Sequence, residues 1–304
     1  GAGLTVLKSA LEAAPNNGPL RALNALALPY IAESADAMAR ARARMEAEID
    51  RLENLDAPLS DPLSEVGMTN FQAVYHGLDD RPLNQALAAF YARNCPDLRY
   101  TAPHCQGRFR RGYKIRIGFV SAHLGSHTIG KLNHRLIAGL DRNKIDVHVF
   151  ALGSGPAPDA GLGVAIHTPP ADLPGARAAI ADARLDILYY PDIGMEPMSY
   201  FLGFARLAPL QCVTWGHPVT TGLPEMDYFL SNKMAEPEGA EAFYSEPLIL
   251  SDRLDVSYQR PATLDNPKPR DALGLSPSAH LYLCAQSLFK VHPEMDAAFA
   301  AILD

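Results

Sequence analysis

The sequence predicts an α/β protein with two Rossmann-like domains, the second incomplete, preceded by an all-helical block. Three observations predict it. Apolar residues recur at helical spacing through the first hundred positions, short apolar runs alternate with helical stretches after Gly107, and a proline-rich joint at 265–270 precedes one last strand-and-helix pattern. The chain divides as an all-helical domain over 1–107, a first Rossmann-like domain over 108–264, and a linker with the start of a second over 265–304.

In the helical block, Met38, Ala41, Met45, Ile49, Leu52 and Leu55 recur at steps of three and four, which places them on one face of a long helix that Ser34 can cap. Arg40, Arg42, Arg44, Glu46 and Glu48 then fall on the solvated face. A second helix holds Leu83, Leu87, Phe90 and Tyr91, with Asp80 as its cap and Pro82 in its first turn. Stripes of this kind need a partner surface, which also makes the block a candidate for protein contacts. No 34-residue repeat is evident, so a tetratricopeptide array is not indicated.

After Gly107, residues 115–121, 147–152, 186–190, 210–215 and 227–230 read as strands, and 132–140, 176–183 and 197–207 as helices. Such alternation implies right-handed crossovers and a largely parallel sheet covered on both faces. The linker Asp265-Asn266-Pro267-Lys268-Pro269-Arg270 is held extended by its prolines. Beyond it Leu281, Tyr282, Leu283 and Cys284 read as a buried strand, and Pro293 suits the first turn of a helix through Met295, Phe299 and Ile302. Lys290 lies at that seam, where α/β proteins bind phosphates; a solvated surface lysine is the competing reading. One strand and one helix cannot close a core, so the second domain is incomplete.

Composition bounds the function. With 48% hydrophobic and 20% charged residues in 304, the chain has an ordinary soluble make-up, with no membrane span and no export signal, which reads as cytoplasmic. A net charge of -7 argues against a general nucleic-acid binder. The basic run of Arg108, Arg110, Arg111, Lys114 and Arg116 reads as a solvated linker and edge strand rather than a docking patch. Four scattered cysteines indicate neither a zinc site nor a disulfide framework, and Cys212 and Cys284, in apolar runs, are expected to be buried. Metal is not implied, because there is no Asp-x-Asp motif. The Gly-x-Gly-x-x-Gly fingerprint of a nicotinamide enzyme is absent after Val120, where Ser121-Ala122-His123-Leu124-Gly125 stands.

Three ordered motifs carry a resemblance. The first is Lys114-Ile115-Arg116-Ile117-Gly118-Phe119-Val120-Ser121, followed by Gly125-Ser126-His127 and Lys131-Leu132. The second is Leu207-Ala208-Pro209-Leu210-Gln211-Cys212-Val213-Thr214-Trp215-Gly216-His217-Pro218-Val219-Thr220-Thr221-Gly222, followed by Met226-Asp227-Tyr228. The third is Leu283-Cys284-Ala285-Gln286-Ser287-Leu288-Phe289-Lys290-Val291-His292-Pro293. Together they span about 111–304 and resemble the protein O-GlcNAc transferase family, which includes plant protein O-fucosyltransferases and bacterial adhesin-glucosylating enzymes. Asn70-Phe71-Gln72-Ala73-Val74-Tyr75-His76-Gly77 resembles the helical region before the catalytic domains of bacterial relatives. The resemblance implies a GT-B-type, metal-independent, inverting glycosyltransferase. It would move GlcNAc or a hexose from a nucleotide sugar, UDP-linked, to a protein acceptor at Ser or Thr, without a cofactor. Most nucleotide contacts in that family come from the half that would continue past residue 304, so this fragment alone is expected to be inactive.

Residue by residue, the resemblance assigns His127 as catalytic base or acceptor-positioning group, against a loop histidine bonded to its neighbours. Lys290 is assigned to the donor diphosphate, with Gln286 and Ser287 beside it; Ser287 stands where the family has glutamine, which weakens that contact. Gly216, His217, Thr220 and Thr221 form an acceptor or sugar loop. His217 departs from the usual tyrosine, and a turn fixed by Pro218 and Gly222 is the alternative. Tyr75 and His76 face the cleft or serve interdomain packing. Asp186 and Asp192 flank a strand end and are candidates for the crevice, whereas His123, His134, His148, His167, His280 and His292 read as surface or strand positions without ligand spacing. Two further readings stay open: a non-catalytic interaction scaffold, and a glycosyltransferase acting on a glycan or small molecule.

Overall fold

The computed structural model describes residues 2–303 apart from 53, 54, 56, 57, 108–113, 154, 258, 259, 261, 262 and 264. Seven strands form one sheet: β1 Ile115–Ser121, β2 Ile145–Ala151, β3 Ala165–His167, β4 Ile187–Tyr190, β5 Leu210–Thr214, β6 Tyr228–Asn232 and β7 Leu248–Ser251. Their order is β3-β2-β1-β4-β5-β6-β7 and every pairing is parallel. The order reverses between β1 and β4, which opens a crevice at the carboxyl ends of those strands. Phe119, Val149 and Phe150 are buried in the sheet's central strands, as a sheet covered on both faces requires.

The crossovers include α6 Thr128–Gly139, α7 Leu173–Asp182 and α8 Pro197–Leu202. Asp172 caps α7 by accepting from Gly175 N at 2.8 Å, and Glu196 caps α8 by accepting from Met198 N and Ser199 N. The helix expected over 197–207 therefore ends early, at Leu202, and the chain turns through Gly203 towards β5. Strands β3 and β7 were not legible: β3 has three residues, too few to show alternation, and β7 is a four-residue edge strand.

The basic run needs correction. Strand β1 is interior, not an edge; Arg116 N donates to Asp186 Oδ2 at 2.7 Å and its guanidinium lies 3.6 Å from Asp146. Arg108, Arg110 and Arg111 lie outside the described residues. The bond to Arg116 also fixes Asp186 at the amino end of β4, opposite the crevice.

The helical block comprises α1 Ala2–Ala13, α2 Gly18–Leu26, α3 Ala35–Arg51, α4 Pro62–Glu65 and α5 Arg81–Asn94. Ser34 caps α3, accepting from Ala37 N at 3.1 Å, and Met38, Met45 and Ile49 are buried. The expectation of a solvated arginine face fails at Arg42, which is 4% exposed because α5 packs across it. Its guanidinium pairs with Asp80 and donates to Asp79 O at 2.5 Å. Asp80 occupies the cap position of α5 without capping it, since its carboxylate turns to Arg42; Asp79 accepts from Arg81 N instead. Arg44 reaches back to the carbonyls of Asn24 and Ala27 at the end of α2.

Block and sheet share one hydrophobic core. Leu83, Leu87, Phe90 and Tyr91 of α5 join Tyr200, Phe201 and Leu202 of α8 and Val213 of β5 in a single buried cluster. Tyr91 sits 5.0 Å from Phe201, 6.1 Å from Tyr200 and 6.2 Å from Phe204, ring centroid to ring centroid.

At the other end of the chain the buried strand expected at 281–284 is absent. Leu281, Tyr282 and Leu283 are 47%, 70% and 87% exposed, and Cys284 is exposed rather than buried. A strand forms only where neighbours satisfy its backbone and cover its side chains, and the described residues supply none here. Lys290 ends a 3-10 turn, Leu288–Lys290, instead of lying at a strand-to-helix seam, and α9 Met295–Leu303 starts two residues after Pro293.

The Arg42–Asp80 pair is buried on both sides, so losing one partner strands the other charge. Arg42→Ala is expected to cost about 3–5 kcal/mol. The double substitution Arg42→Met with Asp80→Asn should recover most of that loss, read from urea unfolding midpoints of the single and double variants.

Candidate active site

Because all strands run one way, the loops after β1, β4 and β5, neighbours in the sheet, open at the same edge. The loop after β1 ends at His127, the cap residue of α6. Its Nδ1 accepts from Ile129 N at 3.2 Å, so the neutral ring carries its proton on Nε2, the nitrogen left for a ligand. Desolvation, then the charges of Lys290 and Lys131, hold His127 below the usual histidine pKa. Its ring lies 4.6 Å from that of His123. Both histidines line a cavity of about 340 Å³ with Gly125, Ser126, Leu152 and Pro156. Gly125 is required there, since a Cβ would stand 2.0 Å from Pro156 O.

The loop after β4 supplies Asp192, which is 1% exposed. Ser121 Oγ donates to its Oδ2 at 2.8 Å and accepts from His123 N at 2.8 Å, so one hydroxyl ties the β4 loop to the histidine loop across the switch point. Oδ1 of Asp192 has no partner among the described residues. Burial raises the carboxyl to about 7, Ser121 opposing and Glu196 assisting.

The loop after β5 packs onto both. Gly216 N donates to Pro191 O at 3.0 Å, and a Cβ on Gly216 would come within 2.2 Å of that oxygen and 2.9 Å of Ile129 Cδ1. His217 is buried, its ring 5.3 Å from Phe71 of the helical block, with Nδ1 unpartnered among the described residues. Burial lowers its pKa to about 4, so it is neutral near pH 7 and unsuited to proton transfer there. The hydroxyls of Thr220 and Thr221, which the resemblance puts in an acceptor or sugar loop, are already engaged within the protein. Both side chains donate to the buried carboxylate of Glu246, which also accepts from Thr221 N at 2.9 Å. Gly222, with φ of +71°, lets the loop approach α5, where a Cβ would meet the Asn84 carbonyl carbon at 2.4 Å. Asn84 Nδ2 donates to Thr220 O at 2.6 Å.

Lys290 arrives from the C-terminal segment. It is exposed, its charge reaches His127, and no carboxylate pairs with it among the described residues. Gln286 and Ser287 are also exposed, and Gln286 Oε1 accepts from Ser287 N at 3.0 Å. The structure thus brings His127, Lys290, Gly216 and His217 to one side of the sheet, and leaves Thr220 and Thr221 inside the loop's own framework. Sequence reasoning missed Ser121 and Glu246; the first had only its place at the end of β1 as a signal, and the second had none. Among the remaining histidines, His148 is buried in β2, bonded to His167 at 3.0 Å and to Asp146 at 3.3 Å.

Asp192 makes a pH prediction. Its folded-state pKa is raised, so the folded protein holds an extra proton between about pH 4 and 7. The stability this contributes is complete below pH 4 and is lost as pH rises through 7. Asp192→Asn should therefore be more stable than the parent at pH 8, by on the order of 1–3 kcal/mol, and indistinguishable at pH 4, in paired urea titrations.

No protein-family model matches the chain. It is 26% identical over 212 residues to the probable UDP-N-acetylglucosamine–peptide N-acetylglucosaminyltransferase SEC of Arabidopsis thaliana, a match covering 65% of this chain and 21% of that protein. It is 31% identical over 118 residues to the UDP-glucose:protein N-beta-glucosyltransferase of Actinobacillus pleuropneumoniae serotype 7 (strain AP76), covering 39% of this chain and 18% of that protein. Among solved structures, a point mutant of the Thermobaculum terrenum O-GlcNAc transferase superposes with a TM-score of 0.50 at 19% identity, over 99% of this chain and 62% of that one. The chain spans about a fifth of the length of the curated relatives it matches. The α/β fold is that of the Thermobaculum structure, and by sequence the chain is similar, at modest identity, to protein O-GlcNAc transferases and protein N-glucosyltransferases.

Proposed function

We propose that the protein carrying this chain is a metal-independent, inverting glycosyltransferase that moves GlcNAc or a hexose from a UDP-linked donor to a protein acceptor in the cytoplasm. The observation that carries the reading is the convergence of a neutral histidine with a lysine that has no carboxylate partner among the described residues, at the carboxyl edge of a parallel sheet. The names of the similar proteins agree with it: each transfers a sugar from a UDP donor to a peptide or protein. Residues 265–304 belong, in this reading, to the start of the donor-binding domain.

In a single inverting displacement the acceptor oxygen bonds to the anomeric carbon while the bond from that carbon to the diphosphate breaks. The nucleoside diphosphate leaves with the bonding pair, and the acceptor's proton passes to a phosphate oxygen of that leaving group. Lys290 neutralises charge that grows on the diphosphate. His127 presents Nε2–H, so it orients an oxygen lone pair by donating; acting as a base would first require giving up its bond to Ile129 N. The His217 ring packs on Phe71, and the Glu246-anchored loop has backbone rather than hydroxyl groups left to offer a substrate.

The test is a transfer assay of the full-length protein with UDP-GlcNAc, UDP-glucose and a fucose donor, reading candidate acceptors by intact mass. A hexose, N-acetylhexosamine or deoxyhexose increment is expected; no transfer and no nucleotide binding would sink the reading. In the same assay Lys290→Ala should weaken donor affinity and cripple turnover. His127→Ala should leave nucleotide affinity within about threefold and cost roughly 100-fold in rate, because it acts on the acceptor.

A further inference from the structure

Lys290 has a long flexible stem and no carboxylate partner among the described residues, so something else must hold its ammonium in place if it is to meet a phosphate. The nearest candidates are two aromatic faces. Its Nζ lies 5.5 Å from the ring centroid of Tyr75 and 5.6 Å from that of Phe289, within the range of a cation–π contact. The two rings meet edge to face at 5.6 Å and 78°, and Tyr30 flanks Phe289 at 4.9 Å. Tyr75 is half-buried in the 3-10 turn Phe71–His76 of the helical block, a turn closed by left-handed Gly77 and fixed where Asn70 donates to Asn84 of α5. Ala73 of the same turn is buried in the shared core and the Tyr75 ring meets Phe71 edge to face at 5.7 Å, so Tyr75 stays with the block, whereas Phe289 travels with the segment that carries the lysine.

From this geometry we infer that Tyr75 is a positioning residue, contributed by the helical block, which docks the Lys290 segment and holds its ammonium beside His127 for a nucleoside diphosphate. The inference rests on the glycosyltransferase reading for its ligand, but not for the contact itself. An aromatic face suits the task better than a carboxylate would. A carboxylate would bind the ammonium and repel the phosphates, while a ring face attracts the cation and leaves its charge available to an anion.

Two measurements on the full-length protein separate the contact from its use. Reductive ¹³C-methylation keeps lysine charged, and the Lys290 signal, identified by its loss in Lys290→Arg, should lie upfield of exposed lysines because of the ring. It should stay there in Tyr75→Phe and move part of the way towards the exposed position in Tyr75→Leu, where the Phe289 ring remains. By calorimetry with UDP, Tyr75→Phe should bind within about twofold of the parent and Tyr75→Leu roughly three- to tenfold more weakly. In a Lys290→Met background, Tyr75→Leu should add nothing further. An unshifted methyl signal in the parent, an unchanged signal or affinity in Tyr75→Leu, or an equal loss in both backgrounds overturns the inference. A ring-shifted signal that responds to Tyr75→Leu in a protein that binds no UDP upholds the docking and refutes the glycosyltransferase reading instead.

Discussion

The seating of Tyr91 among Tyr200, Phe201 and Phe204 is the contact on which the rest of the molecule depends. It joins α5 to α8, and so makes one core of a helical block and a parallel sheet that each expose an apolar face without the other. Three other contacts are consequences of that docking. Asn84 reaches Thr220, Phe71 covers His217, and Tyr75 meets Lys290, each from a block residue to a segment at the carboxyl edge of the sheet. A shift of α5 by one turn, about 5 Å, would break all three together.

The electrostatics of the edge follow from which groups the fold buries. Burial pushes His217 down to about 4 and Asp192 up to about 7, so the groups nearest the sheet are uncharged or half-charged near neutrality. The full charges, Lys131 and Lys290, remain exposed at the rim. Apart from Glu246, whose carboxylate Thr220 and Thr221 hold, a weakly charged interior with a positive rim suits the neutral hydroxyl acceptor and anionic leaving group of the proposed reaction, and desolvation with that rim keeps His127 unprotonated.

What the sequence revealed and what it hid divide along physical lines. Strand-length apolar runs with glycine or proline between them exposed β1, β2, β4, β5 and β6, because a sheet covered on both faces demands continuous hydrophobicity. Ser34 and the Met38–Met45–Ile49 spacing revealed α3 for the same local reason. Apart from β3 and β7, too short to show a pattern, and the early end of α8, the errors were non-local. Arg42 and Asp80 sit at positions where local rules assign solvent and a cap, and only the crossing of α3 with α5 turns them into a buried pair. Thr220 and Thr221 look like ligand hydroxyls until Glu246, 25 residues on, is seen to hold them. The apolar run at 281–284 has strand chemistry but no neighbouring strand among the described residues.

Glu246 also settles what kind of element the β5 loop is. A loop that offered two free hydroxyls would gain specificity at the cost of mobility, since each hydroxyl would rotate to suit its ligand. Here both hydroxyls and Thr221 N converge on one buried carboxylate, while Gly216 and Gly222 lie so close to Pro191 and Asn84 that a Cβ would stand 2.2 and 2.4 Å from their backbone atoms, which any side chain would forbid. The loop is thereby a rigid wall, pinned on one side by the β4 loop and on the other by α5. The segment carrying Lys290 has no comparable network; its aromatic contacts run to Tyr30 and Tyr75 of the helical block. The wall built by the β5 loop is held by hydrogen bonds, and the segment carrying Lys290 is docked by ring faces, whose contacts are less directional than hydrogen bonds.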